Sequence, residues 1–349
     1  MVKLDKRIVF GIAAVVIIAI AGVGAYLLTR PEPPPTEKLK VAAIYIDGLE
    51  SSWNQVLDSA LRGTEEDLNI EYTYSDWVSI PDAESVLESY VQDGYEVFFL
   101  HSWYPDATKA IGERYPQVTI LGGGGGSELK YLYPPPEEAP PNIGHYDNWA
   151  EEGSYMAGML AAKMSTTGKL GLIGLFPVGD ENAMLNGYIM GAKDANPDIE
   201  ISLLWIFDWA NPAKQRESAI AFIEAGCDVI FATEVGAEGE CEDRGVYMIT
   251  TATDRYELAP EAILTSVLWN LTTTVKDVIE GHKTGTFEGK EYIYELAQGG
   301  ISLAPYHSLE DEVPADVKQL IERVKTDILE GRLVIPHIDA PPEDYWPDL

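Results

Sequence analysis

Basic residues are scarce in this sequence. The chain has 349 residues, with 24 Lys and Arg against 57 Asp and Glu, which gives a formal net charge of −33. This excess of negative charge repels phosphate backbones and anionic lipid headgroups, so it argues against nucleic acid or an anionic membrane surface as a partner of the main body. The charge favours solubility and carries no information about the fold.

Histidine is also rare, and its positions argue against a metal site. The five histidines are scattered along the chain, at His101, His145, His282, His307 and His337. No two of them stand four residues apart, and the sequence contains no His-Glu-x-x-His motif and no Gly-x-Ser-x-Gly motif. A nucleoside hydrolase would need several aspartates close to the first strand, where Asp47 stands alone. We therefore expect no metal, no cofactor and no enzymatic activity.

Long hydrophobic runs are absent except at the N-terminus. Residues 8–28 carry no charge and follow a short basic segment. At about 1.5 Å per helical residue, this run can just cross a hydrocarbon core of roughly 30 Å. We expect residues 1–30 to be a membrane anchor or a signal segment, followed by a Pro-rich linker over 31–39. The basic flank predicts that the body lies outside the cell, attached to the cell membrane.

Cysteine occurs only twice, at Cys227 and Cys241. In an exported chain these two residues could form a disulfide, or both could stay reduced. The sequence leaves the two alternatives open.

Strand-like and helix-like stretches alternate in the body of the chain. Runs rich in β-branched and aromatic residues, such as 40–46 and 96–102, are each followed by an amphipathic stretch of helical length. This alternation predicts an α/β fold of two Rossmann-like lobes with parallel sheets. The expected domains are a first lobe over 40–148 and about 255–283, and a second lobe over 149–254 and about 284–349.

Polar and aromatic residues gather where the predicted strands end. Ligands of open parallel sheets bind beyond the carboxyl ends of the strands. The candidates at these ends are Asp47, Ser52, Trp53, Asn54, Trp103, Trp149, Asp180, Trp209 and Asp254. Four tryptophans beside Asp or Asn suit a flat ligand with polar edges, because indole faces stack while carboxylates and amides read donors and acceptors. A purine fits this pattern, and so does a sugar.

Three segments resemble one protein family. The segment "DGLESSWNQ" resembles the Asp-x-Gly…Ser-Phe-Asn segment of binding proteins of the basic membrane protein (BMP) family. The segments "NWAEEGSYMAGMLAAKMSTTGKLGLIG" and "GAKDANPDIEISLLWIFDWANPAKQRESAIAFIEAGCDVIFAT" are similar to that family in order and spacing. The resemblance covers about residues 40–281. It implies a type I periplasmic binding protein fold that closes at a hinge on a ligand, with purine nucleosides as the best-understood ligands and delivery to an ABC transporter permease.

The resemblance also implies roles for single residues. Trp53 takes the position of the aromatic residue that stacks on the base, with the amide of Asn54 beside it. Asp47 takes the family's acidic position, and Trp209 is the aromatic residue before Pro-Ala-Lys. Trp53 could instead only cap the core.

Three positions depart from the family pattern. Gly122 stands where a ligand-binding aspartate is usual, and Ala252 replaces the first aspartate of a turn in which only Asp254 is retained. Trp269 replaces a lysine. The resemblance implies that the turn aspartate replaced by Ala252 and the lysine replaced by Trp269 hold ribose hydroxyls. Their loss favours a ligand with a different or absent sugar, for example a free nucleobase. A nucleoside is nearly as well supported.

Two other functions share the same fold. A sugar or other small-molecule receptor would use the same aromatic and acidic lining. A sensor ectodomain would need a partner for signalling, because only about seven residues precede the predicted anchor.

Overall fold

The computed structural model describes residues 37–124 and 128–342, in which strands and helices alternate. The strands are β1 (Leu39–Tyr45), β2 (Ile70–Ser75), β3 (Val97–His101), β4 (Thr119–Gly123), β5 (Ile143–Asp147), β6 (Lys169–Gly174), β7 (Glu200–Trp205), β8 (Val229–Ala232), β9 (Tyr247–Ala252), β10 (Ile263–Trp269), β11 (Glu291–Ile293) and β12 (Ile301–Leu303). The helices are α1 (Ser52–Thr64), α2 (Ala83–Gln92), α3 (Pro105–Arg114), α4 (Leu129–Leu132), α5 (Glu151–Met164), α6 (Gly179–Ala195), α7 (Pro212–Glu224), α8 (Glu238–Arg244), α9 (Thr272–Thr284) and α10 (Ala315–Leu329).

Strand pairing in the described residues builds two six-stranded sheets. Their strand orders are β2-β1-β3-β4-β5-β11 and β7-β6-β8-β9-β10-β12. Every pair is parallel except β10 with β12. The chain is therefore an α/β protein with two largely parallel sheets, which confirms this part of the predicted fold class. We call each sheet with its covering helices the first and the second lobe.

The chain crosses between the lobes at places that differ from the expected domain limits. Strand β10 pairs with β9 in the second sheet, with Val267 opposite Thr251. The expected assignment of 255–283 to the first lobe is therefore wrong for this strand, although helix α9 packs against α1 of the first lobe. Strand β11 returns to the first sheet beside β5, whereas we expected it in the second lobe. These returns depend on pairing with distant strands, which local sequence patterns do not encode.

The central strands are covered on both faces. Every residue of β3 and β4 is buried, as expected for runs that are apolar at nearly every position. Phe98 and Phe99 point to opposite sides of the first sheet and belong to two separate apolar clusters. The edge strand β7 is partly exposed at alternate residues. Because the central strands are buried, a site can form only in the segments that follow their carboxyl ends.

Two predictions lie wholly or mostly outside the described residues. The predicted anchor over 1–30 lies wholly outside them, and so do residues 31–36 of the linker predicted over 31–39. Within 37–124 and 128–342, no helix combines the length and the apolar character that crossing a membrane requires. Cys227 and Cys241 are described, and both are buried and unpaired, so the disulfide alternative is not realised in this structure.

Candidate functional site

A cleft of about 610 Å³ lies between the two lobes. Its first-lobe wall includes Trp103 and Trp149, which follow β3 and β5, and its second-lobe wall includes Asp180 in the first turn of α6. These three residues were predicted from the sequence as ligand-binding. The cleft lies where the carboxyl ends of parallel strands leave side chains uncovered, as the fold requires.

The two tryptophans present aromatic surface to the cleft in different ways. Trp103 lines the cleft and is 54% exposed. Trp149 is half-buried and stacks on the imidazole of His337, with ring centroids 3.9 Å apart and an angle of 19° between the planes. The Nδ1 atom of His337 lies 3.0 Å from Oε1 of Glu151, a buried carboxylate that raises the pKa of this histidine. Trp149 is therefore held in place from one side.

The C-terminal segment forms part of the second-lobe wall. Asn182 donates from Nδ2 to the backbone oxygen of Asp339 at 2.8 Å. Asn186, one turn later on α6, donates to the backbone oxygens of Ile338 at 3.1 Å and Ala340 at 2.8 Å. These bonds place His337 and Asp339 at the cleft. The sequence analysis missed both residues. The local signal for them was the pair of side-chain amides, Asn182 and Asn186, that stand four residues apart on α6.

Acidic side chains dominate the charge of the cleft. Its lining includes the carboxyl groups of Glu128, Asp180, Glu291 and Asp339. Lys130 also lines the cleft, and its Nζ lies 3.4 Å from Glu128. Burial raises the pKa of Glu128. A ligand in this cleft meets far more hydrogen-bond acceptors than donors.

Asp147 lies behind this acidic wall at the end of β5. Its side chain is buried, and burial together with the neighbouring Asp180 carboxyl raises its pKa well above the usual range. Asp147 Oδ1 accepts a hydrogen bond from the backbone amide of Asn148 at 2.7 Å. Two carboxyl groups from different lobes thus interact here.

Trp53 lies in a second zone of contact between the lobes. Its indole stacks on the His101 ring at 4.2 Å and 12°, and it meets Trp269 of the second lobe edge-on at 5.2 Å and 83°. Burial lowers the pKa of His101 to about 3, so the ring is neutral. Because the Trp53 carbonyl, 2.9 Å from Nε2, can only accept, Nε2 donates to it and Nδ1 accepts from the Tyr146 hydroxyl at 2.8 Å. Trp53 is thereby held in one orientation.

Trp269 approaches Trp53 from β10 of the second lobe. Its indole Nε1 is buried and has no hydrogen-bond partner among the described residues. A buried donor without a partner costs free energy, so this N–H is a candidate contact for a ligand oxygen or nitrogen.

Asn54 has a local structural role. Its Nδ2 donates to the backbone oxygens of Asp47 at 3.1 Å and Gly48 at 2.9 Å, which closes the turn between β1 and α1. Both hydrogens of the amide are therefore used by the backbone, and only Oδ1 is left for a ligand. The predicted contact of this amide with a ligand edge would therefore have to use Oδ1 as an acceptor.

Ser52 bridges the lobes. Its Oγ donates to Oε2 of Glu234 at 2.9 Å and accepts from Nη2 of Arg255 at 2.8 Å. Arg255 is buried, and its guanidinium also donates to the backbone oxygen of Thr233 at 3.0 Å and lies 3.4 Å from Glu238. The sequence analysis missed Arg255, which directly follows the altered turn at 252–254.

Of the ten predicted residues, Trp103, Trp149 and Asp180 line the cleft and the other seven do not. Two of these seven, Trp209 and Asp254, make contacts within the second lobe. Trp209 is 47% exposed and packs on Phe176 with centroids 4.6 Å apart. Asp254 accepts from Nε2 of His307 at 2.7 Å on the surface of the second lobe. Among the described residues, no group of three or more His, Cys, Asp or Glu could hold a metal ion.

Comparisons with known proteins place the chain among transport proteins. A family model described as "ABC transporter substrate-binding protein PnrA-like" matches residues 38–339. A purine-binding protein of Brucella abortus is 29% identical over 85% of this chain and 83% of its own length. A putative ABC transporter glucose-binding protein of Haloferax volcanii is 25% identical over 83% of this chain and 74% of its own.

Solved structures show the same fold. An ABC transporter solute-binding protein from Conexibacter woesei superposes with a TM-score of 0.72 at 20% identity. The match covers 86% of this chain and 99% of that protein. At this identity the likeness supports the architecture and no particular ligand.

Proposed function

This chain belongs to the Bmp family of PnrA-like ABC transporter substrate-binding proteins, and we propose that it captures a purine-type ligand, a nucleobase or a nucleoside, in its interlobe cleft. The family's function is to bind a substrate for an ABC transporter, and it is not an enzymatic one. The relative named as a purine-binding protein supports a purine as the ligand.

The observation that carries this proposal is the pairing of indole faces with carboxylates in one cleft. Trp103 and Trp149 supply flat apolar surface, and Asp180 supplies acceptors beside them. Stacking on an aromatic side chain is worth about 1–3 kcal/mol per base. A cleft of about 610 Å³ has the volume of a site for a small molecule.

A free base suits the cleft better than its nucleoside. At the family positions for ribose contacts this chain carries Ala252 and Trp269. The carboxylate of Asp254 already accepts a hydrogen bond from His307. Trp269 packs edge-on against Trp53, and its indole cannot supply the charged donor of the lysine that it replaces. A nucleoside is the second candidate.

The finer features of the prediction belong to the same proposal. The lobes close on the ligand at a hinge, as in type I periplasmic binding proteins, and the closed form docks on an ABC transporter permease. The chain acts outside the cell and is attached to the cell membrane by its N-terminal segment. The uncharged run at 8–28 with its basic flank supports this location.

A sugar receptor is the alternative with specific support. The relative named as a putative glucose-binding protein covers a similar share of this chain. Tryptophan faces and carboxylates also bind sugars, so the alternative shares the site and differs only in the ligand.

Ligand binding by the full chain tests the proposal. Bound ligand is removed by dialysis in denaturant and refolding, and the melting temperature and tryptophan fluorescence are then followed with purine bases, nucleosides, pyrimidines and glucose. We expect purine bases to stabilise the chain most. Stabilisation by glucose and not by any purine would overturn the proposal.

Trp103→Ala provides the matched variant. Loss of stacking should weaken purine binding by about 1–3 kcal/mol, because the exposed indole contributes to the ligand surface and little to the core. Trp209 is similarly exposed but lies outside the cleft, so Trp209→Ala should bind as the wild type does. Equal losses in both variants would contradict a stacking role for Trp103.

A further inference from the structure

The C-terminal segment brings a histidine to the cleft with one of its two ring nitrogens already engaged. The Nδ1 atom of His337 lies 3.0 Å from Oε1 of Glu151, whose side chain on α5 is fully buried. Because a carboxylate oxygen can only accept, Nδ1 carries a hydrogen and donates it to Glu151. The imidazole also stacks on the indole of Trp149, with ring centroids 3.9 Å apart. These two contacts fix both the position and the plane of the ring.

The other ring nitrogen of His337 is left for the cleft. Nε2 lies on the opposite edge of the imidazole from Nδ1, and it has no hydrogen-bond partner among the residues that the structure describes. His337 lines the cleft, and 23% of its side chain is exposed. Since Glu151 covers one edge of the ring and Trp149 covers one face, the edge with Nε2 is the hydrogen-bonding edge that a ligand can reach.

Carboxyl groups face His337 from each element packed against it. Glu151 on α5 and Asp180 on α6 act on the ring, and Asp339 belongs to the same segment as His337. Glu295, which follows β11, also interacts with the imidazole. Burial opposes a charge on this ring, but the hydrogen bond to Glu151 and the charges of the other carboxyls outweigh it and raise the pKa of His337. The acidic surroundings therefore favour the protonated ring, in which Nε2 also carries a hydrogen.

We propose that protonated His337 donates from Nε2 to an acceptor on the edge of the ligand, as the oxo group of an oxo purine would provide. This inference rests on the proposed function and adds a specificity-determining residue. The other cation of the described lining, Lys130, lies 3.4 Å from Glu128, whereas Nε2 has no such partner. A hydrogen bond from a charged donor is roughly twice as strong as a neutral one. Loss of the proton turns Nε2 into an acceptor, which an oxo group cannot satisfy.

The pH dependence of binding tests this contact with the ligand-stripped full chain. Hypoxanthine is the probe, because it carries an oxo group and stays neutral from about pH 5 to about pH 8, the range in which histidine titrates. Its dissociation constant is measured by calorimetry at several pH values and one salt concentration. We expect binding to be tightest at low pH and to weaken about tenfold as the pH rises through the raised pKa of His337.

His337→Gln isolates the contribution of the ring. The amide of glutamine does not titrate in this range, so the variant should bind more weakly than the wild type at low pH and should lose most of the pH dependence. His307→Gln is the matched control. His307 also lies beside a carboxylate, with Nε2 2.7 Å from Asp254, but it lies outside the cleft, so this variant should keep the wild-type profile.

A second variant separates His337 from a carboxyl that titrates in the same range. Burial and the neighbouring carboxyls of Glu152 and Glu151 raise the pKa of Glu295 to about 7. Glu295→Gln should nevertheless keep the weakening of hypoxanthine binding with rising pH, because the donor on His337 is still present. A flat profile in Glu295→Gln together with a wild-type profile in His337→Gln would assign the effect to Glu295 and overturn the inference.

The remaining outcomes separate this inference from the proposed function. Binding of hypoxanthine that does not change with pH, or that changes equally in the wild type and in His337→Gln, would overturn the inference and leave the function standing. Binding of adenine without any binding of hypoxanthine would do the same. Binding of no purine at any pH would overturn both. The wild-type profile needs no substitution, so it decides the first of these outcomes even where a variant is unstable.

Discussion

At the scale of single residues, burial changes the chemistry of carboxyl groups near the cleft. Glu181 follows Asp180 in the first turn of α6 and is buried, with Oε2 accepting from the backbone amide of Leu175 at 3.4 Å. Burial raises its pKa from 4.5 to about 8. The folded chain therefore holds this proton at neutral pH, whereas the unfolded chain releases it near pH 4.5. Stability from this group is present below pH 4.5 and is lost as the pH rises towards 8.

Glu181→Gln should remove this dependence. The neutral amide keeps the size of the side chain and can still accept from Leu175, so the variant gains stability relative to the wild type between pH 5 and pH 8. The gain is at most about 1.4 kcal/mol per pH unit. Urea unfolding at several pH values measures it, and Glu217→Gln, at an exposed position, is the control. Parallel curves for Glu181→Gln and the wild type would show that the carboxyl is not held neutral.

At the scale of elements, two helices of the second lobe touch through glycine. A Cβ atom on Gly158 of α5 would overlap the backbone oxygen of Tyr188, and one on Gly191 of α6 would overlap that of Tyr155. Because neither residue has a side chain, the helix backbones meet directly. This contact fixes α6, and α6 in turn carries Asp180 and the asparagines that hold the C-terminal segment.

Gly191→Ala should push α5 and α6 apart. We expect a loss of about 1–3 kcal/mol in the free energy of unfolding, because the added methyl group meets backbone and not a flexible side chain. Gly63→Ala is the matched control, since Gly63 lies in α1 with nothing within 4 Å of the added atom. That change should raise stability by roughly 0.5–1 kcal/mol. Denaturant unfolding measures both, and a neutral Gly191→Ala would contradict the close contact.

At the scale of the whole molecule, a buried ionic network joins the lobes. Ser52 of the first lobe contacts Glu234 and Arg255 of the second, and Arg255 also lies beside Glu238. All four side chains are buried. A buried guanidinium between two carboxylates compensates charges that would otherwise be costly.

Arg255→Met should destabilise the chain strongly. Removal of the guanidinium leaves the buried carboxylates of Glu234 and Glu238 without a compensating positive charge, for an expected loss of about 3–5 kcal/mol. Arg216→Met is the control, because Arg216 is exposed and its pair with Glu240 should contribute under about 1 kcal/mol. Thermal unfolding of both variants measures the two losses of stability. Equal effects would mean that Arg255 does not carry the interlobe network.

The sequence predicted the part of the site that follows directly from strand ends. Trp103, Trp149 and Asp180 each lie just after a strand or at the start of a helix, and parallel sheets bring such positions to one edge. Trp209 satisfied the same rule but packs on Phe176 outside the cleft, because the rule places the backbone and does not set the direction of a side chain.

The sequence by itself determined the α/β class, the order of strands and helices, and the family, because hydrophobic periodicity and motif spacing are local properties of the chain. Only the tertiary structure decided that β10 joins the second sheet and β11 the first, and that Arg255 lies against Ser52. It also decided that His337 reaches the cleft beside Trp149. These features depend on contacts between residues far apart in sequence, whose free energies are set by packing and charge compensation in the folded molecule.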